Sequence, residues 1–224
     1  MTNTNPIRRI VLILASYLLG SVSFAYLAGK LLGSVDLRKY GSRKLSASNV
    51  YEVLGVAGLI GVGVLDLSKG LVPTWLAIRL GYGAETAVAA GIAATVGHNW
   101  SCWLRLRGGR GLGTALGMLC VVFPWGFLWM LAWLVLSRLW PRCAAVPALI
   151  GTASLPFLAC IIGAPSAIII GNIILLGITI LKRLEANREP LPAGRERWHT
   201  LWRRLWLDRD IADFETWVGR RCRQ

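Results

Sequence analysis

Negative charge is scarce in most of this chain. Residues 1–181 hold only four acidic side chains, Asp36, Glu52, Asp66 and Glu85, against fourteen lysines and arginines. The other seven acids and eleven bases fall in 182–224. The five cysteines (Cys102, Cys120, Cys143, Cys160, Cys222) form neither a C-x-x-C pair nor any metal-ligand spacing. Four lie within or beside apolar segments, where a free cysteine behaves as a small hydrophobe, so neither disulfide nor metal is expected. No G-x-S-x-G elbow, H-E-x-x-H pair or Walker lysine loop is present, and neither histidine starts an H-x-x-x-x-D pair. These absences set aside the enzyme classes built on those motifs. No internal repeat or low-complexity tract is present, which weakens the case for a transporter. Nothing in the sequence calls for a cofactor.

Apolar length is what the chain has in abundance. It is 55% hydrophobic with mean hydropathy +0.55, too apolar for an ordinary soluble domain. Spans are expected near 10–33, 54–80, 85–104 and 112–137. A further apolar region at 143–181 carries Pro147, Pro156 and Pro165 and is either one interrupted span or two or three shorter helices. The second span contains Asp66 and Lys69 and is expected to break at Gly70 or Pro73. The fold class that follows is all-α: a polytopic integral membrane protein of about 5–7 transmembrane or partly spanning helices, ending in an amphipathic helix. Arg8 and Arg9 precede an apolar stretch without a clear cleavage site, so the first span reads as retained.

The net charge of +14 is explained by topology and anionic lipid headgroups rather than by nucleic acid. Basic connectors at 38–44 and 105–110 are expected in the cytoplasm with the basic tail, and the N-terminus outside, although Arg8, Arg9, Arg138 and Arg142 then fall on the other side. The expected domains are a membrane body, 1–187, and a basic tryptophan-rich cytoplasmic tail, 188–224. Within the tail, Trp198, Trp202 and Trp206 recur every four residues over 195–208, with Arg203 and Arg204 pointing elsewhere. That helix suits either the headgroup layer or a partner protein.

Residues 104–114, Leu-Arg-Leu-Arg-Gly-Gly-Arg-Gly-Leu-Gly-Thr, concentrate three arginines and four glycines between apolar runs. Glycine lets backbone N–H groups approach a ligand, arginine brings forked donors, and a helix opening just after the loop favours an anion. The stretch is either a phosphate cradle at the membrane surface or a basic turn obeying the positive-inside rule. Asp66 and Lys69 lie three residues apart on one helix face, as a self-neutralising pair or with Lys69 on a substrate phosphate. His98-Asn99 closes the third span just before the arginine loop. The connector from Asp36 to Asn49 offers Ser42, Ser46, Ser48 and Asn49 as donors and acceptors.

In this order the pieces resemble one family, the bacterial acyl-phosphate–glycerol-3-phosphate acyltransferases of the PlsY type, over about residues 17–187. Gly20-Ser21-Val22-Ser23-Phe24-Ala25-Tyr26 is similar to the family's G-S-I-P-F-G/A-Y, with Ser23 where proline is usual. Asp36-Leu37-Arg38 and Gly41-Ser42 lead into a counterpart of S-G-N-x-G-A-T-N-V-x-R. Leu65-Asp66-Leu67-Ser68-Lys69-Gly70 resembles L-D-x-x-K-G. Gly97-His98-Asn99-Trp100, then Arg107 to Thr114, resemble G-H-x-F and K-G-G-K-G-V-A-T. Arg183-Leu184-Glu185-Ala186-Asn187 resembles R-x-R-E-N with asparagine displaced by one place. Two departures concern charge: Lys44 replaces an asparagine, and Glu52 replaces the arginine that closes the serine motif.

The resemblance implies a membrane enzyme that transfers an acyl chain from acyl phosphate to the 1-hydroxyl of glycerol 3-phosphate, giving lysophosphatidic acid and phosphate. It implies catalytic roles for Ser42, Lys69, His98 and Arg110. Substrate and phosphate binding would fall to Arg38, Ser48, Asn49, Arg107, Gly108, Gly109, Gly111, Gly113, Thr114 and Glu185. The implied setting is the bacterial inner membrane, with lipids around the helices and the active-site loops on the cytoplasmic side. The alternative, prompted by Glu52, is an altered or inactive member that binds lipid or a partner protein through its tail, or uses another acceptor.

Overall fold

The computed structural model describes residues 5–40 and 44–218. Helix α1 (Pro6–Ser21) opens with Asn5 as its cap, the side chain accepting from the amides of Ile7 (3.1 Å) and Arg8 (3.4 Å). The expected first span then breaks at Val22. Ser23 caps α2 (Phe24–Leu31) by accepting from the Tyr26 amide at 3.3 Å, so the serine supplies a helix start.

Helix α3 (Ala47–Arg79) departs from expectation in where it bends. Neither Gly70 nor Pro73 breaks it; the non-helical residue is Gly55, at φ 64°, ψ −158°, a conformation only glycine adopts without strain. Gly70 instead marks a helix crossing. Helix α5 (Leu112–Val122) packs so closely there that a Cβ on Gly70 would overlap the Thr114 carbonyl, and one on Gly117 the Leu67 carbonyl. Small residues on both partners let the backbones meet, as membrane helices do when burial from water supplies no driving force.

Helix α4 (Gly83–Asn99) is the centre of the bundle. Ala87, Ala90, Gly91, Ala94 and Gly97 are buried on it, and it packs against α1, α3, α5 and α8 (Ser166–Glu185). The single span expected over 112–137 divides at Phe123, which is non-helical (φ −150°, ψ 69°) ahead of α6 (Pro124–Leu136). A proline disfavours helical geometry in the residue before it, so Pro124 ends one helix and starts the next. The region 143–181 resolves into two helices, α7 (Ala145–Ile161) and α8, turned by Gly163 and Pro165.

The distribution of side chains is that of a protein solvated by lipid. Ile7, Ile10, Leu14, Ile60, Val64, Trp125, Val135, Ile170 and Ile173 face outward, whereas Asn49, Asp66, Lys69, His98, Asn99, Asn172, Lys182 and Arg183 are buried. Three helical stretches, 6–31, 47–79 and 166–185, are long and apolar enough to cross a membrane.

The tail folds back onto this body. Helix α9 (Glu196–Leu207) leaves Trp198 and Trp202 exposed and turns Thr200 and Arg204 inward against α7 and α8. Arg204 is completely buried; its guanidinium donates to Asp210 (2.7 Å) and to the carbonyls of Leu184 (3.0 Å) and Glu189 (2.9 Å). A short helix α10 (Phe214–Val218) follows.

Gly70→Ala is expected to destabilise the detergent-solubilised protein by about 1–3 kcal/mol, the cost of overpacking a tight crossing. Gly61→Ala, on the same helix with no atom within 4 Å of the added carbon, should not lower the melting temperature and should raise it slightly, since alanine is the better helix former. Equal melting temperatures for the two variants would refute the close crossing.

Candidate active site

A cleft of about 470 Å³ opens where α3, the end of α4, the start of α5, α8 and the tail converge. Its walls carry Lys44, Ser48, Asn49, Glu52, Asp66, His98, Arg110, Gly111, Gly113, Arg183 and Asp208.

The arginine–glycine loop opens a helix as its sequence suggests. Gly111 sits at φ 74° just before α5, and no side chain caps that helix, so its first-turn amides start at the cleft wall. The loop rests on the end of α4: a Cβ on Gly108 would strike the carbonyls of His98 and Asn99, and one on Gly109 the His98 imidazole. Gly109 donates its amide to the His98 carbonyl at 3.1 Å. From the end of α8, Asn187 clasps the loop, donating to the Gly108 carbonyl (3.2 Å) and accepting from its amide (3.5 Å). The displaced asparagine of the sequence therefore still reaches the loop, through left-handed backbone at Ala186 and Asn187.

Beneath the loop, Asp66 takes two partners. Lys69 Nζ donates to its Oδ1 at 2.7 Å, and His98 Nδ1 lies 3.5 Å from the same oxygen. Lys69 is fully buried over the Phe24 ring (4.6 Å) and is not part of the cleft wall. Of the two roles open to Lys69 from its sequence, the structure displays the pair with Asp66. His98 and Asp66 both reach the cleft.

The other expected residues divide similarly. Arg110 is at the centre. Ser48 lines the cleft, exposed, with its Oγ 3.0 Å from that of Ser46. Asn49 is buried and spends Nδ2 on the carbonyls of Tyr40 (3.1 Å) and Lys44 (3.0 Å), which fastens the preceding connector. Thr114 is buried one turn into α5, away from the cleft wall, and its hydroxyl has no partner among the described residues; neither polar atom of the Asn99 side chain has one either.

Like Lys69, Gly108, Gly109 and Thr114, the expected residues Arg38, Arg107 and Glu185 are not part of the cleft wall. Arg38 forks onto Asp36 (Nη2–Oδ2 2.7 Å), and that bond holds the Asp36 carboxyl below the usual carboxylate range despite its partial burial. Arg107 is exposed outside the cleft. Glu185 accepts from Trp100 Nε1 (2.7 Å) and Lys182 Nζ (3.1 Å), tying α8 to the end of α4. Ser42 lies outside the described residues.

Of the cleft charges outside the sequence-derived site residues, Lys44 and Asp208 form a pair. Asp208 sits at the C-terminal cap of α9 and accepts from Arg110 Nε at 2.8 and 3.0 Å and from Lys44 Nζ. Lys44 Nζ also donates to the Asp208 carbonyl at 2.6 Å. Burial lowers the Lys44 pKa to about 8 against the opposing pull of Asp208. For Asp208 burial works to raise the pKa, but Arg110, Lys44 and Arg183 together hold it well below the carboxylate range. Lys44 was visible in the sequence as a departure from the motif. Asp208 gave no signal, because only folding brings it within reach of Arg110.

Several known proteins are similar to this chain. Glycerol-3-phosphate acyltransferase 5 of Dehalococcoides mccartyi is 31% identical over 217 residues, 94% of this chain and 93% of the relative. A glycerol-3-phosphate acyltransferase of Halalkalibacterium halodurans is 34% identical over 192 residues, covering 83% and 93%. Among solved structures, the chain is similar to PlsY (YgiH), an integral membrane glycerol 3-phosphate acyltransferase, in its glycerol 3-phosphate form. The TM-score is 0.74 at 29% identity, over 80% of this chain and 89% of that one. The lysophosphatidic acid form of the same protein gives a TM-score of 0.72. Residues 10–193 match the family model for glycerol-3-phosphate acyltransferases, and the chain belongs to that family of integral membrane proteins.

Proposed function

We propose that this protein transfers an acyl chain from acyl phosphate to the 1-hydroxyl of glycerol 3-phosphate, releasing lysophosphatidic acid and inorganic phosphate. The observation that carries the reading is the meeting of Arg110 and the uncapped start of α5 in one cleft that also holds Lys44, Arg183 and His98. Both substrates bring a phosphate, and a cleft of this charge holds phosphate through forked arginine donors and backbone amides.

Acyl phosphate is already activated, so no covalent enzyme nucleophile is required. The acceptor oxygen bonds to the acyl carbon as the bond from that carbon to the phosphate oxygen breaks. The proton lost by the hydroxyl is the one the departing phosphate needs, which balances the step. The chain's part is to hold two phosphates close together and to offset charge on the acyl oxygen and the leaving group. Arg110 and the α5 amides are suited to the leaving phosphate, with His98, braced by Asp66, beside them. The apolar outer faces of α3 and α8 border lipid, where an acyl chain resides.

The basic loops and the tail meet at one end of the bundle, through Lys44, Arg110 and Asp208. This supports a cytoplasmic placement for that end, in the inner membrane of a bacterium. The exposed Trp198 and Trp202 suit the headgroup layer there. Glu52 on the cleft wall favours a second reading, in which the same transfer is directed to an acceptor other than glycerol 3-phosphate.

The test is acyl transfer by the purified protein in lipid with palmitoyl phosphate and radiolabelled glycerol 3-phosphate. Labelled lysophosphatidic acid is expected, and Arg110→Ala should lower kcat/KM by about a hundredfold or more. A folded protein that makes none from glycerol 3-phosphate but acylates another alcohol would replace the first reading with the second.

Lys44 gives the activity a pH signature. It loses its proton as pH rises through about 8, which removes one positive charge from the cleft. The KM for glycerol 3-phosphate should therefore climb between pH 7.5 and 9.5. In Lys44→Arg, whose guanidinium stays charged over that range, the climb should be absent. An unchanged rise in the variant would assign the titration to another group.

A further inference from the structure

The family model matches residues 10–193, yet the cleft is lined by a carboxylate from beyond that stretch. We propose that Asp208 is a positioning residue for acyl transfer: its carboxylate, delivered by the tail, holds Lys44 and Arg110 in place as a phosphate-binding pair. The inference rests on the acyltransferase reading of the cleft.

Geometry supports positioning over simple plugging. Both Asp208 oxygens accept from Arg110 Nε, and Arg110 Nη1 donates to the Lys182 carbonyl at 3.2 Å, so two anchors set the plane of the guanidinium. Lys44 is held twice, by the carboxylate and by the carbonyl of the same residue. Charge supports it as well. Three cations, Lys44, Arg110 and Arg183, act on one carboxylate, which leaves a surplus of two positive charges. That surplus matches a phosphate monoester, which carries about −1.5 to −2 at neutral pH. Without the carboxylate, three buried cations would repel one another and Arg110 would lose its main anchor.

The tail is built to keep Asp208 there. Asp208 adopts left-handed backbone (φ 52°, ψ 37°), which turns the chain out of α9 and into the cleft. On one side Arg183 donates to the Leu205 carbonyl at 2.8 Å; on the other Arg209 donates to the Arg142 carbonyl at 2.9 Å, and Arg204 is locked to Asp210. A removable plug would not be fastened by buried arginines on both flanks. Lys44 and Asp208 are also a matched pair: the lysine departs from the family's motif, and the aspartate that holds its charge lies beyond the residues that the family model matches.

The experiment compares Asp208→Asn with Asp210→Asn, which loosens the tail without touching Lys44 or Arg110. Steady-state acyl transfer across pH is measured for both, with thermal unfolding as the check on folding. Asp208→Asn is expected to raise the KM for glycerol 3-phosphate by about tenfold or more, the scale seen when one partner of a buried charge network is removed. It should also move the high-pH rise in KM below 8, since the carboxylate that retains the Lys44 proton is gone. Asp210→Asn should leave that rise near 8. Asp208→Glu, which keeps the charge, should recover part of the loss and carries the test if Asp208→Asn does not fold.

The same proteins are titrated calorimetrically with glycerol 3-phosphate and inorganic phosphate without acyl donor. A parent that binds phosphate but makes no lysophosphatidic acid fails the acyltransferase reading, whereas weaker phosphate binding in Asp208→Asn still supports positioning. A lower KM in Asp208→Asn would identify the carboxylate as a competing anion and overturn the proposal. Identical shifts in Asp208→Asn and Asp210→Asn would reduce its role to docking the tail.

Discussion

An ionic group inside a bundle surrounded by lipid must find a partner, and this requirement organises the protein. Lys69 is locked to Asp66, Lys182 to Glu185, Arg204 to Asp210, and Arg110 with Lys44 to Asp208. The cost of leaving any of these alone in a low dielectric far exceeds the few kcal/mol by which a fold is stable. Helices that carry them are thereby pulled into one arrangement. Because these partners gather at one end of the bundle, the cleft forms there too.

Close packing does the complementary work. Alanine and glycine line α4, and glycines at the α3–α5 crossing bring backbones together, so the arginine–glycine loop is laid directly on the end of α4. The loop's glycines are thus needed twice over, for the turn into α5 and for lack of a side chain against His98. A loop set on such a base is held in one shape, the kind of preorganisation on which electrostatic stabilisation depends.

Much of this was legible in the sequence. The L-D-x-x-K-G, G-H and arginine–glycine segments stood out because each places costly or conformationally special residues amid apolar runs, and the structure gathers Asp66, His98, Arg110, Gly111 and Gly113 at one cleft. The reading was less successful where residue type carried two meanings. Arg38 and Arg107 have the chemistry of phosphate ligands, but Asp36 occupies the first and the second remains at the surface. Asn49 and Glu185 were reasonable substrate contacts by type, and their hydrogen bonds go to connector carbonyls and to Trp100 and Lys182. Helix breaks were misplaced for a related reason. Pro73 lies within α3 without interrupting its helical backbone, while Gly55, unremarked in a run of small residues, has the positive φ.

The sequence by itself determined that the chain is a helical membrane protein, the family it resembles, and which loop sets arginines and glycines at the start of a helix. Each of these is written locally, in apolar length and in short ordered motifs. Tertiary structure decided which charges are free to meet a ligand and which are consumed by neighbours. It also decided that the tail completes the cleft. Asp208 and Arg110 are 98 positions apart, and Asp208 and Lys44 are 164 apart. No local pattern encodes such pairs; they arise because buried cations in a lipid-facing bundle take the carboxylate that folding brings to them.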